Sequence, residues 1–240
     1  MQDRLERDIQ RLMAGNVPER YRANMSALSI DEQLALLRSE VALVGLGGLG
    51  GHVLELLVRA GVGSIVGCDG DVFEDSNLNR QLLADAQTVG TAKASAATRR
   101  VELVNPDIRF MALSAFLDED RMREFFVGAD VAVDALGGLA DRPALLRAAS
   151  DNDIPAVTAA VAGFSGYVAT VLPGAPGPAD LFGTGPADED RLGVPGPAVA
   201  FAASVQAAEI LRVLRGKEPR LAGRMLVFDL ERMNVETVQL

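Results

Sequence analysis

Short apolar runs alternate with longer amphipathic stretches along most of the chain. The apolar runs have the length of buried strands and cover residues 41–45, 63–68, 108–112, 129–134 and 155–160. The stretches between them repeat their apolar positions at helical spacing, over 49–60, about 90–103, 118–126 and 141–150. Such alternation predicts an α/β fold, in which a mainly parallel sheet with right-handed crossovers is flanked by helices.

The two ends of the chain depart from this alternation. Residues 2–15 have an amphipathic helical pattern, and Ser29 with Glu32 forms a capping box that opens a second helix through Leu37. We therefore expect a helical arm over residues 1–40 ahead of a single domain over 41–240. After a sixth strand, a helix over 198–215 and two strands at 225–230 and 235–240 predict a C-terminal antiparallel hairpin.

Composition narrows the class of protein. With 240 residues, of which 49% are hydrophobic, the chain can bury one sizeable core. A formal net charge of −10 argues against nucleic acid as a partner, because a nucleic-acid surface needs clustered cations. The longest apolar stretch is interrupted by Gln206, Glu209 and Arg212, which argues against a membrane span. The N-terminus has no apolar signal core, so we expect a cytoplasmic protein.

Cysteine and histidine are nearly absent. Cys68 is the single cysteine and lies in the second strand pattern, where a thiol is more often a small buried side chain than a nucleophile. His52 is the single histidine. The sequence therefore excludes an intramolecular disulfide and a zinc site built from cysteines.

A glycine-rich turn follows the first strand. Its sequence, GLGGLG at 45–50, fits the pattern G-x-G-x-x-G between a strand and a helix. Such a turn brings backbone amides and a helix N-terminus close to phosphates, as in Rossmann-like folds. Taken alone, the pattern is weakly specific.

Polar residues downstream of the turn sharpen the prediction. Asn77, Arg80 and Lys93 supply an amide and two cations, which suit a triphosphate better than a nicotinamide dinucleotide. Asp69 ends the second strand 24 residues after Gly45, where an acidic side chain reaches ribose hydroxyls in such folds. The set predicts a nucleotide site at the carboxyl edge of the sheet.

Together these motifs resemble the ThiF/MoeB/HesA family of adenylyltransferases, prokaryotic relatives of ubiquitin-activating enzymes. The resemblance rests on GLGGLG at 45–50, CDGDVFEDSNLNRQ at 68–81, VGTAKA at 89–94, NPDI at 105–108 and Asp134. It implies an ATP-dependent enzyme that activates the C-terminal carboxylate of a small ubiquitin-like sulfur carrier and releases pyrophosphate. The implied pathway is sulfur transfer for molybdopterin, thiamine or a related cofactor.

The resemblance also implies cofactors and partners. The cofactors are ATP and Mg²⁺, and the protein partner is a carrier that ends in Gly-Gly. A homodimer is expected from the shared active sites of the family, and the apolar residues of the late helix, such as Val199, Phe201 and Ile210, support the same expectation.

Particular residues receive roles from the same resemblance. Arg80, Lys93, Asp134 and Arg22 are the expected catalytic residues, with Asp134 as the Mg²⁺ ligand. Nucleotide binding is expected from these residues of the motifs: Gly45, Gly47, Gly48, Gly50, Asp69, Asp71, Ser76, Asn77, Asn79, Arg80, Lys93, Asp134 and Ala135. Asp71 has an alternative role as a carboxylate that caps a turn.

The chain departs from the family pattern at two places. Ala135-Leu136-Gly137-Gly138 follows Asp134, where relatives often have a second acidic residue and an asparagine. Ala23 stands where relatives have an arginine that reaches the γ-phosphate of the neighbouring subunit. Arg22 or Arg20 is the available substitute, and an exposed surface arginine is the alternative interpretation.

A Pro/Gly-rich segment over residues 173–197 carries an acidic run at Asp188, Glu189 and Asp190. A loop of this length in a compact domain is either a surface excursion or functional. In the family this crossover loop passes over the adenylate and receives the partner's tail, which favours the functional interpretation.

Other functions stay open on the sequence. A dehydratase of threonylcarbamoyladenosine in tRNA activates a carboxylate in the same way, although the acidic balance of the chain argues against RNA. Ala23 and the altered residues 136–138 allow a nucleotide- or carrier-binding module with weakened catalysis. A dehydrogenase is disfavoured, because the second half offers no recognisable acid and base for hydride transfer.

Overall fold

A computed structural model of the protein describes residues 4–182 and 189–240. The helices are α1 (Arg4–Met13), α2 (Ile30–Arg38), α3 (Gly48–Ala60), α4 (Lys93–Val104), α5 (Glu119–Phe125), α6 (Arg142–Asp151), α7 (Pro178–Phe182), α8 (Glu189–Leu192) and α9 (Gly196–Leu214). The strands are β1 (Glu40–Val44), β2 (Ser64–Cys68), β3 (Arg109–Leu113), β4 (Val131–Asp134), β5 (Ala156–Ala162), β6 (Ser165–Val171), β7 (Arg224–Asp229) and β8 (Asn234–Gln239). Short 3₁₀ helices cover Glu19–Asn24 and Asp75–Asn77.

One eight-stranded sheet runs through the molecule in the order β3-β2-β1-β4-β5-β6-β7-β8. The strands from β3 to β5 pair in parallel, whereas β6, β7 and β8 pair antiparallel. The predicted mainly parallel sheet with a C-terminal antiparallel hairpin is therefore confirmed. The strand order reverses between β1 and β4, and the carboxyl ends of strands at such a switch point form a crevice.

Alternating side chains of the central strands fill both faces of the sheet. Leu43 of β1 packs in the core formed with α3, α4 and α9. Its neighbours Ala42 and Val44 pack on the opposite face with α5 and α6. Because successive strand residues point to opposite faces, a continuously apolar strand is what a sheet covered by two helical layers requires.

Helix α9 is part of the core. It is the one helix in the described ranges that is long and apolar enough to cross a bilayer, yet half of that stretch is buried inside the protein. Val199 and Ile210 are buried, and the Phe201 ring contacts Phe228 edge-on at a centroid distance of 4.9 Å. These side chains are therefore used within the chain, and they no longer argue for a homodimer as the sequence pattern did.

The helical arm has its own small apolar cluster, which includes Leu12, Tyr21 and Leu37. The arm meets the end of α3 where Gln33 Nε2 donates to the Ala60 carbonyl at 2.8 Å. The predicted capping box is present, because Ser29 Oγ accepts from Glu32 N and Glu32 accepts from Ser29 N. Asn105 Nδ2 donates to Tyr21 Oη at 3.0 Å, which ties the arm to the NPDI segment.

Two predicted boundaries differ from the structure. Helix α4 begins at Lys93, because Phe73 and the turn at 90–91 exchange backbone hydrogen bonds that hold this segment beside residue 73. The segment 173–197 contains the short helices α7 and α8, where the sequence predicted a continuous irregular loop. The predicted acidic run at Asp188, Glu189 and Asp190 lies outside the residues whose side chains are described.

Candidate active site

A cavity of about 940 Å³ lies at the carboxyl ends of β1, β2 and β4. This volume is in the upper part of the usual range for small-molecule sites, roughly 300–1,000 Å³. Nine of the residues predicted from the motifs line it: Gly45, Gly47, Gly48, Asp69, Asp71, Asn77, Arg80, Lys93 and Ala135. The predicted crevice at the switch point is therefore present and carries most of the expected groups.

The glycines of the turn either allow close backbone packing or line the cavity. Gly45 has a φ of 96°, and a Cβ there would lie 2.4 Å from the carbonyl oxygen of Ala135. A Cβ at Gly50 would lie 1.8 Å from the carbonyl oxygen of Gly45, so this glycine lets α3 approach the turn closely and does not line the cavity. Gly47 and Gly48 face the cavity, where the start of α3 offers backbone amides to an anion.

Asp69 fixes the shape of the turn. Its Oδ2 accepts from Leu46 N at 2.8 Å, and its Oδ1 accepts from Asp71 N at 2.9 Å. The carboxylate thereby joins the end of β2 to the glycine turn after β1. It lines the cavity, so the position predicted for a ribose-binding acid is occupied.

The two predicted cations have different environments. Lys93 is buried at the start of α4, and its Nζ lies 3.0 Å from Oδ2 of Asp71. Arg80 Nη1 donates to the Ser76 carbonyl at 3.0 Å and to Asn79 Oδ1 at 2.8 Å. Among the residues that the structure describes, Arg80 has no carboxylate partner, so its charge is available to an anionic ligand.

The remaining polar residues of the motif hold the turn that carries Arg80. Asn77 Oδ1 accepts from Glu74 N at 3.1 Å, and Asn79 Nδ2 donates to the Val194 carbonyl at 3.3 Å. Asn77 also lines the cavity, whereas Ser76 and Asn79 do not. Ser76 and Asn79 both accept from Arg80 Nη1 and so help to position it, while their contact with nucleotide stays a prediction.

Asp134 is fully buried and does not line the cavity. Its Oδ2 lies 2.7 Å from Arg142 Nη1 and accepts from Thr158 Oγ1 at 2.6 Å, while Oδ1 accepts from Leu136 N at 3.2 Å. Arg142 also donates to the carbonyls of Leu136, Gly138 and Ala159. Asp134 is therefore the partner of a buried guanidinium that fixes the loop after β4, and its expected role as a metal ligand stays a prediction.

In the described part of the chain, two of the three carboxylates that line the cavity already have partners inside the protein. Both oxygens of Asp69 accept backbone amides, and Asp71 pairs with Lys93. The exposed Asp141 remains, and within the described ranges no group of three or more metal-binding side chains occurs. Because Mg²⁺ on a nucleotide usually takes only one or two carboxylates besides phosphate oxygens and water, the predicted metal ligand stays a prediction.

Arg22 lies on the 3₁₀ helix of the arm and outside the cavity. Its side chain is 70% exposed and pairs with Glu19 at 2.8 Å. Arg20, the other expected substitute, pairs with Asp107 at 2.7 Å. Within one chain, neither arginine reaches the proposed phosphate site.

Cys68 and Tyr167 line the cavity with protonated side chains. Burial raises the pKa of the Cys68 thiol, whose Sγ donates to the Ala115 carbonyl at 3.0 Å. Burial likewise raises the pKa of Tyr167. A thiol held in this form is a poor nucleophile, which agrees with the predicted packing role of Cys68.

The cavity residues that received no role from the sequence include Gln81, Phe116 and Arg142. Phe116 follows β3 and lies over Gly70, where a Cβ would be 2.6 Å from the ring. Their positions in the sequence could have indicated Phe116 and Arg142, because both residues follow strands whose carboxyl ends meet at the cavity. Gln81 stood inside a quoted motif but received no role.

Comparisons with known proteins agree with this architecture. A model of the ThiF family matches residues 21–240. The chain is 36% identical over 220 residues to the SAMP-activating enzyme E1 of Haloferax volcanii, covering 89% of this chain and 81% of that protein. It is 32% identical over 209 residues to the sulfur carrier protein ThiS adenylyltransferase of Escherichia coli, covering 84% and 82%. The crystal structure of E. coli MccB with ATP has a TM-score of 0.77 at 21% identity, over 92% of this chain and 71% of that chain, and shows the fold alone.

Proposed function

We propose, given that this chain belongs to the ThiF family, that it is an ATP-dependent adenylyltransferase for the C-terminal carboxylate of a small ubiquitin-like sulfur carrier. The family expected from the motifs is confirmed, and the adenylyltransferase activity agrees with the name of the ThiS relative. One observation carries the proposal: the amides of Gly47 and Gly48, the buried Lys93 and Arg80, which has no carboxylate partner among the described residues, converge on one cavity of nucleotide size.

The triphosphate of ATP would lie against the start of α3. Backbone amides there and the positive end of the helix dipole favour an anion. Arg80 neutralises part of the phosphate charge directly, whereas Lys93 must exchange its Asp71 partner for a phosphate oxygen. Asp69, at the end of β2, is the proposed ribose contact.

The reaction requires two anions to meet. An oxygen of the carrier's ionised carboxylate attacks the α-phosphorus, and the bond from that phosphorus to the bridging oxygen of the β-phosphate breaks. The electron pair leaves with pyrophosphate, and an acyl-adenylate remains. Arg80 and Lys93 lower the barrier, because they offset the charge that accumulates on the phosphates.

The carrier tail would enter along the sheet. The cavity continues over Ala160, Gly166 and Val227 on β5, β6 and β7. These side chains are small or moderate in size, and a Cβ at Gly166 would lie 2.4 Å from the Ala160 carbonyl oxygen. A narrow floor of this kind suits a glycine-rich terminus, which supports a Gly-Gly carrier as the partner.

Magnesium, a homodimer and a cytoplasmic location remain predictions of the family resemblance. Asp134 would reach a metal on the phosphates only by exchanging its Arg142 partner. ATP–pyrophosphate exchange in the presence of a candidate carrier tests the activity. Exchange that depends on the carrier and on its free carboxylate supports the proposal. ATP binding without exchange for any Gly-Gly carrier favours the weakened binding module, which the position of Arg22 outside the cavity also motivates.

A further inference from the structure

Gln81 is a buried side chain with an unsatisfied acceptor at the cavity. It is 7% exposed, follows Arg80 directly and lines the cavity. Its Oε1 has no hydrogen-bond partner within the described part of the chain. A buried polar atom without a partner costs folding free energy, so such an atom at a ligand cavity calls for an explanation.

The carboxamide of Gln81 lies beside the glycine turn. A Cβ built on Gly47 would be 3.5 Å from both Nε2 and Oε1. The backbone of Gln81 is fixed in the same place, since its N–H donates to the Asn77 carbonyl at 2.9 Å and its carbonyl accepts from Ala84 N at 2.9 Å. The side chain is therefore held against the wall of the cavity where the nucleotide is proposed to lie.

Two other buried glutamines show what a structural role looks like in this protein. Gln206 Nε2 donates to the carbonyls of Asp134 and Val157, which ties α9 to the sheet. Its Oε1, like that of Gln81, has no partner among the described residues, so the orphan acceptor by itself does not distinguish the two glutamines. Gln33 Nε2 donates to the Ala60 carbonyl, and its Oε1 accepts from Asn24 Nδ2. Neither residue lines the cavity. Gln81 differs from both, because its unsatisfied acceptor belongs to a side chain at the cavity wall.

The missing partner must be a hydrogen-bond donor. The phosphates of ATP offer acceptors at neutral pH, whereas the two ribose hydroxyls and the adenine amino group offer donors. Asp69, the proposed ribose contact, accepts from Leu46 N, and the Gln81 carboxamide lies beside the next residue, Gly47. The two side chains thus lie along the same stretch of the turn, which favours a ribose hydroxyl over the adenine amino group or a donor on the carrier tail.

We propose that Gln81 binds a ribose hydroxyl of ATP through Oε1 and makes the enzyme select ribonucleotides over deoxyribonucleotides. Nε2 remains free to donate to a phosphate oxygen, an arrangement that a carboxylate at this position would not reproduce. The inference rests on the proposed ATP-dependent function and names a specificity-determining residue of the same site.

The test compares the binding of ATP, 2′-deoxyATP and 3′-deoxyATP to the full chain in the absence of a carrier. Calorimetry gives the affinity for each nucleotide, and thermal unfolding gives the rise in melting temperature that each one causes. The wild type should bind ATP about 5–10-fold more tightly than one of the two analogues, the range that a single hydrogen bond gives. Gln81→Met should lose that preference, while its melting temperature without nucleotide stays unchanged or rises because the unpaired acceptor is gone. Gln206→Met is the matched control and should lower the melting temperature but keep the preference.

The outcomes separate this inference from the proposed function. If Gln81→Met keeps the wild-type preference, or if the wild type shows none, the assignment of Gln81 is overturned and the function stands. If Gln81→Met destabilises the protein and still discriminates, Gln81 is structural. If the wild type does not bind ATP at all, the proposed function fails and this inference fails with it.

Discussion

Lys93 Nζ lies 3.0 Å from Oδ2 of Asp71, so the cation assigned to phosphate already has an anionic partner inside the protein. Lys93 is buried, while the Asp71 side chain is 55% exposed and can turn towards solvent. A lysine in the first turn of a helix is disfavoured by the helix dipole, so its charge requires a nearby anion. Asp71 meets that requirement, and a bound phosphate would compete with it.

Replacing Asp71 tests this competition. Asp71→Asn leaves the buried Lys93 without its partner, so the protein should lose about 0.2–1 kcal/mol of stability, the range for partly exposed pairs. The rise in melting temperature on adding ATP should increase, because phosphate then restores the missing negative charge. Thermal unfolding with and without ATP measures both effects. A smaller ATP-dependent rise would instead identify Asp71 as a direct nucleotide ligand.

Arg80→Ala and Lys93→Ala should each lower ATP–pyrophosphate exchange by about 10²–10³-fold, the effect of removing one transition-state donor. Both variants should fold, which circular dichroism and thermal unfolding can verify. Arg99→Ala is a suitable control, because Arg99 is an exposed residue of α4 outside the cavity. Exchange at the wild-type rate in either test variant would remove that residue from the site.

Asp134→Asn should destabilise the protein by about 3–5 kcal/mol, because it leaves the buried Arg142 guanidinium without its counter-charge. Denaturant unfolding measures this loss. The double variant Asp134→Leu with Arg142→Met should be less damaging to stability than the single change. A stable Asp134→Asn protein that only requires more Mg²⁺ for exchange would instead support the predicted metal role of Asp134.

Glu32 connects α2 to the end of α9 and makes stability depend on pH. Lys217, together with the Ser29 backbone amide, lowers the pKa of Glu32 to about 2 from 4.5. Because the folded-state pKa is depressed, this stabilisation is present above about pH 4.5 and disappears as the pH falls towards 2. Comparing Glu32→Gln with the wild type by thermal unfolding should show a gap at neutral pH that closes in acid. A gap independent of pH would mean that the glutamate acts by packing.

A homodimer is the remaining expectation, since most soluble oligomers have two-fold symmetry. Light scattering at micromolar concentration should show a species of twice the 25.3 kDa chain mass. In that case Arg22→Ala should reduce exchange, because within one chain Arg22 lies outside the cavity and could act only across an interface. A 25.3 kDa species alone would exclude this role for Arg22.

The sequence predicted the sheet and much of the cavity for one physical reason. Parallel strands bring their carboxyl ends to one edge, so residues that follow different strands, such as Gly47, Asp69 and Ala135, are neighbours whatever lies between them. Arg80 and Lys93 were found through the same logic, helped by a specific motif. The predicted centres of the helices and strands agree with the structure. Apolar periodicity reflects which side chains are buried, and this sheet buries side chains on both of its faces.

Side-chain partnerships could not be predicted in the same way. Nothing in the sequence pattern around Asp134 shows that Arg142, eight residues later, pairs with the Asp134 carboxylate. The unsatisfied Oε1 of Gln81 is visible only when every neighbouring donor has been located. Helix α4 begins about three residues later than its apolar pattern predicts. The cause is a pair of backbone hydrogen bonds to Phe73, which the local sequence does not reveal.

The Asp134–Arg142 pair restricts how this protein can change over generations. Loss of either residue alone passes through a poorly folded intermediate, since the remaining charge is enclosed between β4, β5 and α6. Descendants of the chain should therefore inherit the two residues as a unit, or replace them together. The short loop from Ala135 to Asp141 is anchored at both ends by this pair, so it can vary in sequence while its ends keep their place.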